Sequence, residues 1–438
     1  MRFHQVRGCL ARGSAVIGLL GCAALVEAAD PVANPTFTKD IAPIFQEKCE
    51  ACHRPGSIAP MSLQTFEEAR PWIRSIRARV EQRQMPPWHI DKTVGIQQFE
   101  NDRSLTDDQL TTILRWIDQG APRGNASDVP AAKVWPDGQG WNFAHLFGQT
   151  EPDMVITSHD YTMPARSQDA WDKRLTPTGL TEPRWVRAIE LRPKTVEGRR
   201  IVHHAIAYLR QDDPDAVGGG LPTPFMEWAV GKQGEMMRPD TGKLLLPGSV
   251  INWDIHYSAA GEEITNAVEL GIYFYPKGQE PKFRTSLALV PAALGEMDVR
   301  PNTVTTVKME TPLRQGARIE SFQPHMHLRG KAMMVEAILP SGETQVLSKV
   351  SNFNFNWHNT YVYTADAAPL LPKGTILRVT AWHDNTAAHA SNPDPNQWVG
   401  WGDRTVDEMA HAWINIVYMD DASYEAEVQK RAQSRSQQ

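Results

Sequence analysis

The sequence predicts a multidomain chain in which a small all-α unit precedes a longer all-β region. Two patterns and a composition bias lead there. Apolar residues recur at helical spacing at Phe37, Ile41, Ile44 and Phe45, and again at Leu110, Ile113, Leu114 and Ile117. From about residue 150 the pattern changes to short apolar runs bounded by turn residues: WVRAIELRP, IVHHAIAYL, AVELGIYFYP, ILRVTAWHD and WINIVYM. The 32 prolines and 30 glycines among 438 residues favour turn-rich β structure over long helices.

Residues 1–28 read as a signal peptide. Arg2, Arg7 and Arg12 precede the apolar stretch GSAVIGLLGCAALV, and Val26 and Ala28 suit cleavage before Ala29. That stretch is shorter than the roughly 20 residues that span a bilayer. An uncleaved anchor and a lipoprotein acylated at Cys22, within LLGC, remain open alternatives. The expected location is the periplasm or the outer face of a bacterial membrane, with membrane contact only if Cys22 is lipidated.

The helical unit is placed at 35–122. Thr65 with Glu68 and Thr106 with Gln109 read as capping boxes, and Pro71 suits a first helical turn. Between them lies CEACHRPG, residues 49–56. Once residues 1–28 are removed, Cys49 and Cys52 are the only cysteines left. Two thiols at this spacing can form thioethers to heme vinyl groups, and the His that follows at once reaches the iron. Cys49 and Cys52 are therefore expected to attach one heme c, with His53 as proximal ligand. Met85, in RQMPPWH, is the expected sixth ligand, on a loop stiffened by two prolines. The stretch resembles the class I cytochrome c family.

Residues 123–150, rich in Gly, Pro and Ala, are expected as a linker. The β region is expected to divide into 151–292 and 293–424, and the polar end, 425–438, is expected to be disordered. Three histidine patterns stand out: His203 with His204, His256 in NWDIHYS, and His325 with His327 in QPHMHLRG. An HxH spacing puts both rings on one face of a strand. Adjacent histidines point to opposite faces and share an ion only where the strand twists or bulges. Each pattern alone is weak evidence for a metal.

These segments resemble the copper type II, ascorbate-dependent monooxygenases, the group of peptidylglycine alpha-hydroxylating and dopamine beta-monooxygenases. The resemblance implies two jelly-roll-like β domains with one copper each. One copper would be held by His203, His204 and His256. The other would be held by His325, His327 and Met409, the last from WGDRTVDEMAHAW, with dioxygen activated there and electrons passing through heme c and the three-histidine copper across a solvent-filled cleft. The β region has no cysteine, unlike the disulfide-rich animal members, and lacks a clear match to the residues that hold a peptide carboxylate. A small organic C–H substrate is therefore expected rather than a peptide. His358, His383 and His389 are extra imidazoles, placed behind the site, at the surface or against substrate. The implied partners are dioxygen and an external donor: a redox protein, a quinol-linked cytochrome or an ascorbate-like reductant. A formal charge of -6 argues against nucleic acid. The rival function is a heme and copper electron-transfer or copper-binding protein without hydroxylase activity.

Overall fold

The computed structural model describes residues 32–135, 140–214, 223–229, 232, 234–290 and 297–436. The expected signal peptide and Cys22 lie outside the described residues. Helices cluster in the first part of the chain. A wide π-type turn, Phe37–Ile41, runs into the α-helix Ala42–Lys48, followed by Phe66–Ala69, Ile73–Glu81 and Asp107–Asp118. Both capping boxes form, with the Thr65 and Thr106 hydroxyls accepting from the Glu68 and Gln109 amides. The helices bury Phe37, Ile41, Phe45, Ile113 and Trp116 in a core of their own. No helix among the described residues is long and apolar enough to cross a membrane.

The helical unit is not self-contained. Trp88, Ile90 and Phe99 leave it and join the core formed by Phe322, Leu347, Val350, Tyr361 and Tyr363. The backbone follows: Asp91 donates to the Lys349 carbonyl, Ile96 to Leu347 and Glu100 to Val362, while Thr364 donates to Gln98. Residues 88–100 thus pair as an edge segment on the later β region. Gly95, at φ +74°, fits because a Cβ there would meet the Leu347 carbonyl at 2.6 Å.

The β region is built from several sheets. Strand Val250–Tyr257 pairs with Val202–Arg210, which pairs in turn with Thr223–Ala229. Strands Val304–Pro312, Ile376–Asp384, Gly330–Ile338 and Thr344–Val350 form a four-stranded antiparallel sheet. A longer sheet joins the two expected halves. Phe283–Val290 runs parallel to Thr241–Leu245 and antiparallel to His411–Met419. The earlier strands bury Val186, Ile189, Trp253 and Ile272 in one core, and the later strands have another. Two separate jelly-roll bodies plus a detached helical module are not discernible, because hydrogen-bonded strands and shared cores cross each expected boundary. Part of the expected linker is also packed, with Trp141 and Ala144 against Ala188 and Tyr273. The expected disordered end instead forms the helix Asp421–Ser436, seated by Tyr424 near Phe283 and Met419.

Candidate metal and heme sites

His203 and His204 lie on Val202–Arg210, and His256 lies on the neighbouring strand. His256 pairs with His204, but Tyr257 pairs with Val202, so His203 is skipped by the ladder. This is the bulge that lets adjacent residues turn to one side. One ligand nitrogen from each of the three rings can be chosen so that all lie within 4.8 Å of one another. The Nδ1 atoms of His203 and His204 are 3.2 Å apart. Trp171 stacks on His256 with ring centroids 4.6 Å apart. Asp169 Oδ2 lies 3.1 Å from His256 Nε2, off the line of a hydrogen bond, and its two oxygens accept from Ser258 and Thr405.

Burial lowers the basicity of all three rings. His203 is pulled down to about 4 and His204 well below the ordinary histidine range, with the neighbouring imidazoles adding to the effect. His256 is lowered by burial against the opposing pull of Asp169. At neutral pH the rings are uncharged, which is the state that binds a metal.

A second histidine group faces the first. Strand Ser321–His325 ends at His325, so His327 stands just beyond it rather than two along the same strand. The two rings nevertheless lie 5.4 Å apart by centroid. The His327 amide donates to the Glu408 carboxylate and its Nδ1 to the Asp407 carbonyl, which leaves Nε2 as the lone-pair nitrogen. His358 and His411 complete the group. His358 Nδ1 is 3.2 Å from His325 Nδ1, and His411 stacks on His325 at 4.5 Å. Burial takes His358 and His411 each down to about 3, with the Phe355 carbonyl pulling weakly the other way at His358. Both ring nitrogens of His411 and Nε2 of His358 are buried without a protein partner.

Sequence reasoning did not single out His411. The usable signal was its i+2 spacing from Met409 in a segment already under suspicion. Met409 is half-buried, and its carbonyl accepts from His383 Nε2, which also lies near Glu408. His389 donates to the Leu328 carbonyl. His383 and His389 therefore brace the backbone around the site.

Among the described residues no solvent-filled cleft separates the two groups. His204 and His325 are 6.2 Å apart by ring centroid, as are His203 and His358. The loop carrying Phe353, Phe355 and His358 fills the space, and Phe355 stacks on His203 at 5.0 Å.

In the heme segment Cys49 and Cys52 stand close together, the Cys52 amide donating to the Cys49 carbonyl. Cys49 and Cys52 are free and half-buried, and burial pushes the Cys49 thiol up to about 12. A thiol so held stays protonated at neutral pH. His53 Nδ1 donates to the Met61 carbonyl at 3.2 Å, which orients the ring and leaves Nε2 free for a metal. Met61 is thereby tied to the His53 side. Met85 stands half-buried just after the helix Ile73–Glu81, before the segment that docks on the β region.

A cavity of about 350 Å³ lies where the three parts meet, lined by Arg103, Lys232, Glu235, Arg238, Glu320 and Asn359 and by none of the histidines of either group. Ion pairs stand in its wall, including Lys232 to Glu235 at 2.8 Å.

No protein-family model and no curated protein matches the chain. Solved structures with some likeness include the infectious bursal disease virus VP2 subviral particle, 11% identical over 62% of this chain and 72% of that one, at a TM-score of 0.18. Another is dimeric latent PorU from Porphyromonas gingivalis, 10% identical over 58% of this chain and 25% of that one, at a TM-score of 0.14. Likenesses this low carry no argument about fold or function. The chain's own residues carry what can be said: the close Cys49–Cys52 pair and the His203, His204 and His256 cluster are consistent with a capacity to bind metal or heme.

Proposed function

We propose that the protein is an exported copper- and heme-dependent monooxygenase that hydroxylates a C–H bond of a small organic molecule with dioxygen. The observation that carries this reading is the convergence of half-buried His203 and His204 with buried His256, opposite a second, buried imidazole group around His325. Gathering uncharged imidazoles, several with unpartnered nitrogens, costs free energy unless a ligand uses them.

His203, His204 and His256 would hold one copper, and His325, His327 and Met409 the other. Imidazoles with a soft thioether favour the reduced ion. Bound copper supplies one-electron chemistry with dioxygen. Heme c would be held by Cys49, Cys52, His53 and Met85 and would supply a one-electron store. The reaction takes substrate–H, dioxygen, two electrons and two protons to substrate–OH and water.

The chain's own residues do the positioning. Phe353 and Phe355 close the space between the groups and limit water there. Asn359 Nδ2 donates to the Pro87 carbonyl at 2.8 Å in a buried contact, and Asn359 directly follows His358. That contact favours docking of the Met85 loop beside the second histidine group.

The test is dioxygen uptake by copper-loaded, heme-containing protein across a panel of small apolar and aromatic compounds, with a one-electron reductant. Uptake matched by hydroxylated product, with oxygen from labelled dioxygen, supports the reading. Reversible reduction of heme and copper with no oxygen consumed on any substrate would favour a pure electron-transfer protein.

A further inference from the structure

We propose that His358 is a metal ligand of the second site, binding the same ion as His325. The proposal rests on the two-metal reading above and adds to it a ligand from a different segment of the chain.

The first argument is a distance. Two imidazole nitrogens, each about 2.0–2.1 Å from one ion, stand about 2.9 Å apart at a right angle and about 3.4 Å apart at a tetrahedral angle. The Nδ1 atoms of His325 and His358 are 3.2 Å apart. The same separation, 3.2 Å, holds the Nδ1 atoms of His203 and His204 in the three-histidine group. Two pairs in one interior thus share the bite of two nitrogens on a single ion.

The second argument is the state of the ring. If the pair were only hydrogen-bonded, one Nδ1 would donate to the other at a distance longer than the usual 2.9–3.0 Å of N–H donors. His358 is 2% exposed, and its Nε2 has no partner. Binding through Nδ1 puts the lone pair of that atom on the ion, and Nε2 then carries the ring proton.

The neighbours do not offer the same solution. His411 lies over His325 with planes only 22° apart. An ion lies in the plane of an imidazole that binds it, so two nearly parallel stacked rings do not share one. His383 and His389 spend Nε2 on the Met409 and Leu328 carbonyls. His358 also belongs to the loop that carries Phe355 against His203. Ligation at His358 would therefore hold this loop closed over both groups.

Two measurements test the proposal on the full heme-containing chain, with copper alone as probe. In a crystal structure of the copper-loaded protein, anomalous scattering should place an ion about 2 Å from His358 Nδ1 and also bound to His325. An ion bound by His325, His327 and Met409 with His358 outside bonding distance overturns the proposal. After loading and dialysis, unsubstituted protein should keep about two coppers and His358→Gln about one, with the electron paramagnetic signal of the three-histidine copper unchanged. Two coppers of unchanged affinity in His358→Gln overturn it. If the unsubstituted protein keeps fewer than two, the two-copper reading itself fails and takes the proposal with it. A two-copper parent with an indifferent variant sinks only His358.

Discussion

Replacing Trp88 by Ala should loosen the later β region, although Trp88 belongs in sequence to the segment that follows the heme motif. The indole is 8% exposed, with ring centroids 4.7 Å from Tyr361 and 5.7 Å from Phe99. Truncating a buried aromatic costs about 3–5 kcal/mol, part of it the cavity left behind. At about 1.4 kcal/mol per factor of ten, amides that exchange through opening of this core should exchange about a hundredfold to a few thousandfold faster. The assay is native-state hydrogen exchange read by mass spectrometry. Peptides covering 344–350 and 361–371 should speed up together with 88–101, because Asp91, Ile96 and Glu100 donate to Lys349, Leu347 and Val362. Peptides from 202–210, in the other β core, should change far less. Faster exchange confined to residues 37–118, with 344–371 untouched, would refute the docking of this segment into the β core.

Changing Met85 to Ala should abolish any long-wavelength Met–Fe(III) band while pyridine hemochrome spectra still report covalent heme; a band that survives removes Met85 as ligand. His256→Ala should lower the copper count by about one and leave copper at the second group, and loss of both coppers would mean that the groups form one unit. Metal-free protein should lose stability as pH falls from about 6.5 toward 3. Burial puts His203 at about 4 and His358 and His411 at about 3, so over that window the unfolded chain binds protons that the folded chain refuses. Above about 6.5 these rings are neutral in both states and contribute no slope. Denaturation midpoints that stay flat between pH 6.5 and 4 would contradict the buried, uncharged placement. Asn359→Ala should leave the Pro87 carbonyl unpaired, cost about 1–3 kcal/mol and raise exchange at residues 88–91. Unchanged exchange there would remove Asn359 as the tether.

Local signals were readable because they depend on near neighbours. Each capping box lies within one helical turn, and both formed where Thr65 and Thr106 put them. The short apolar runs became strands such as Arg184–Pro193 and Ile376–Asp384, since alternation and β-branching act within a few residues. The condition set on His203 and His204, a bulge, follows from strand geometry, and the ladder skips His203. The polar end was misread because weak amphipathic character gives little hint of a helix. Long-range contacts seat Asp421–Ser436: Tyr424 lies beside Phe283 and Met419, and Arg431 donates to the Ala365 and Ala368 carbonyls.

By itself the sequence determined which residue types are candidates for chemistry: the Cys49–Cys52–His53 run, the paired histidines, and the strands and helices that carry them. Tertiary structure decided which of these meet. His358 lies 33 positions after His325 and His411 lies 86 after it, yet their rings surround it at 5.0 and 4.5 Å. Closeness across such spans depends on strand register and on the packing of one loop between two sheets, to which no local pattern in the chain corresponds. The same holds for Trp88, whose place in a distant core follows from edge pairing at Leu347 and Lys349. Periodicity shows that a side chain will be buried, and only the assembled sheets show against what.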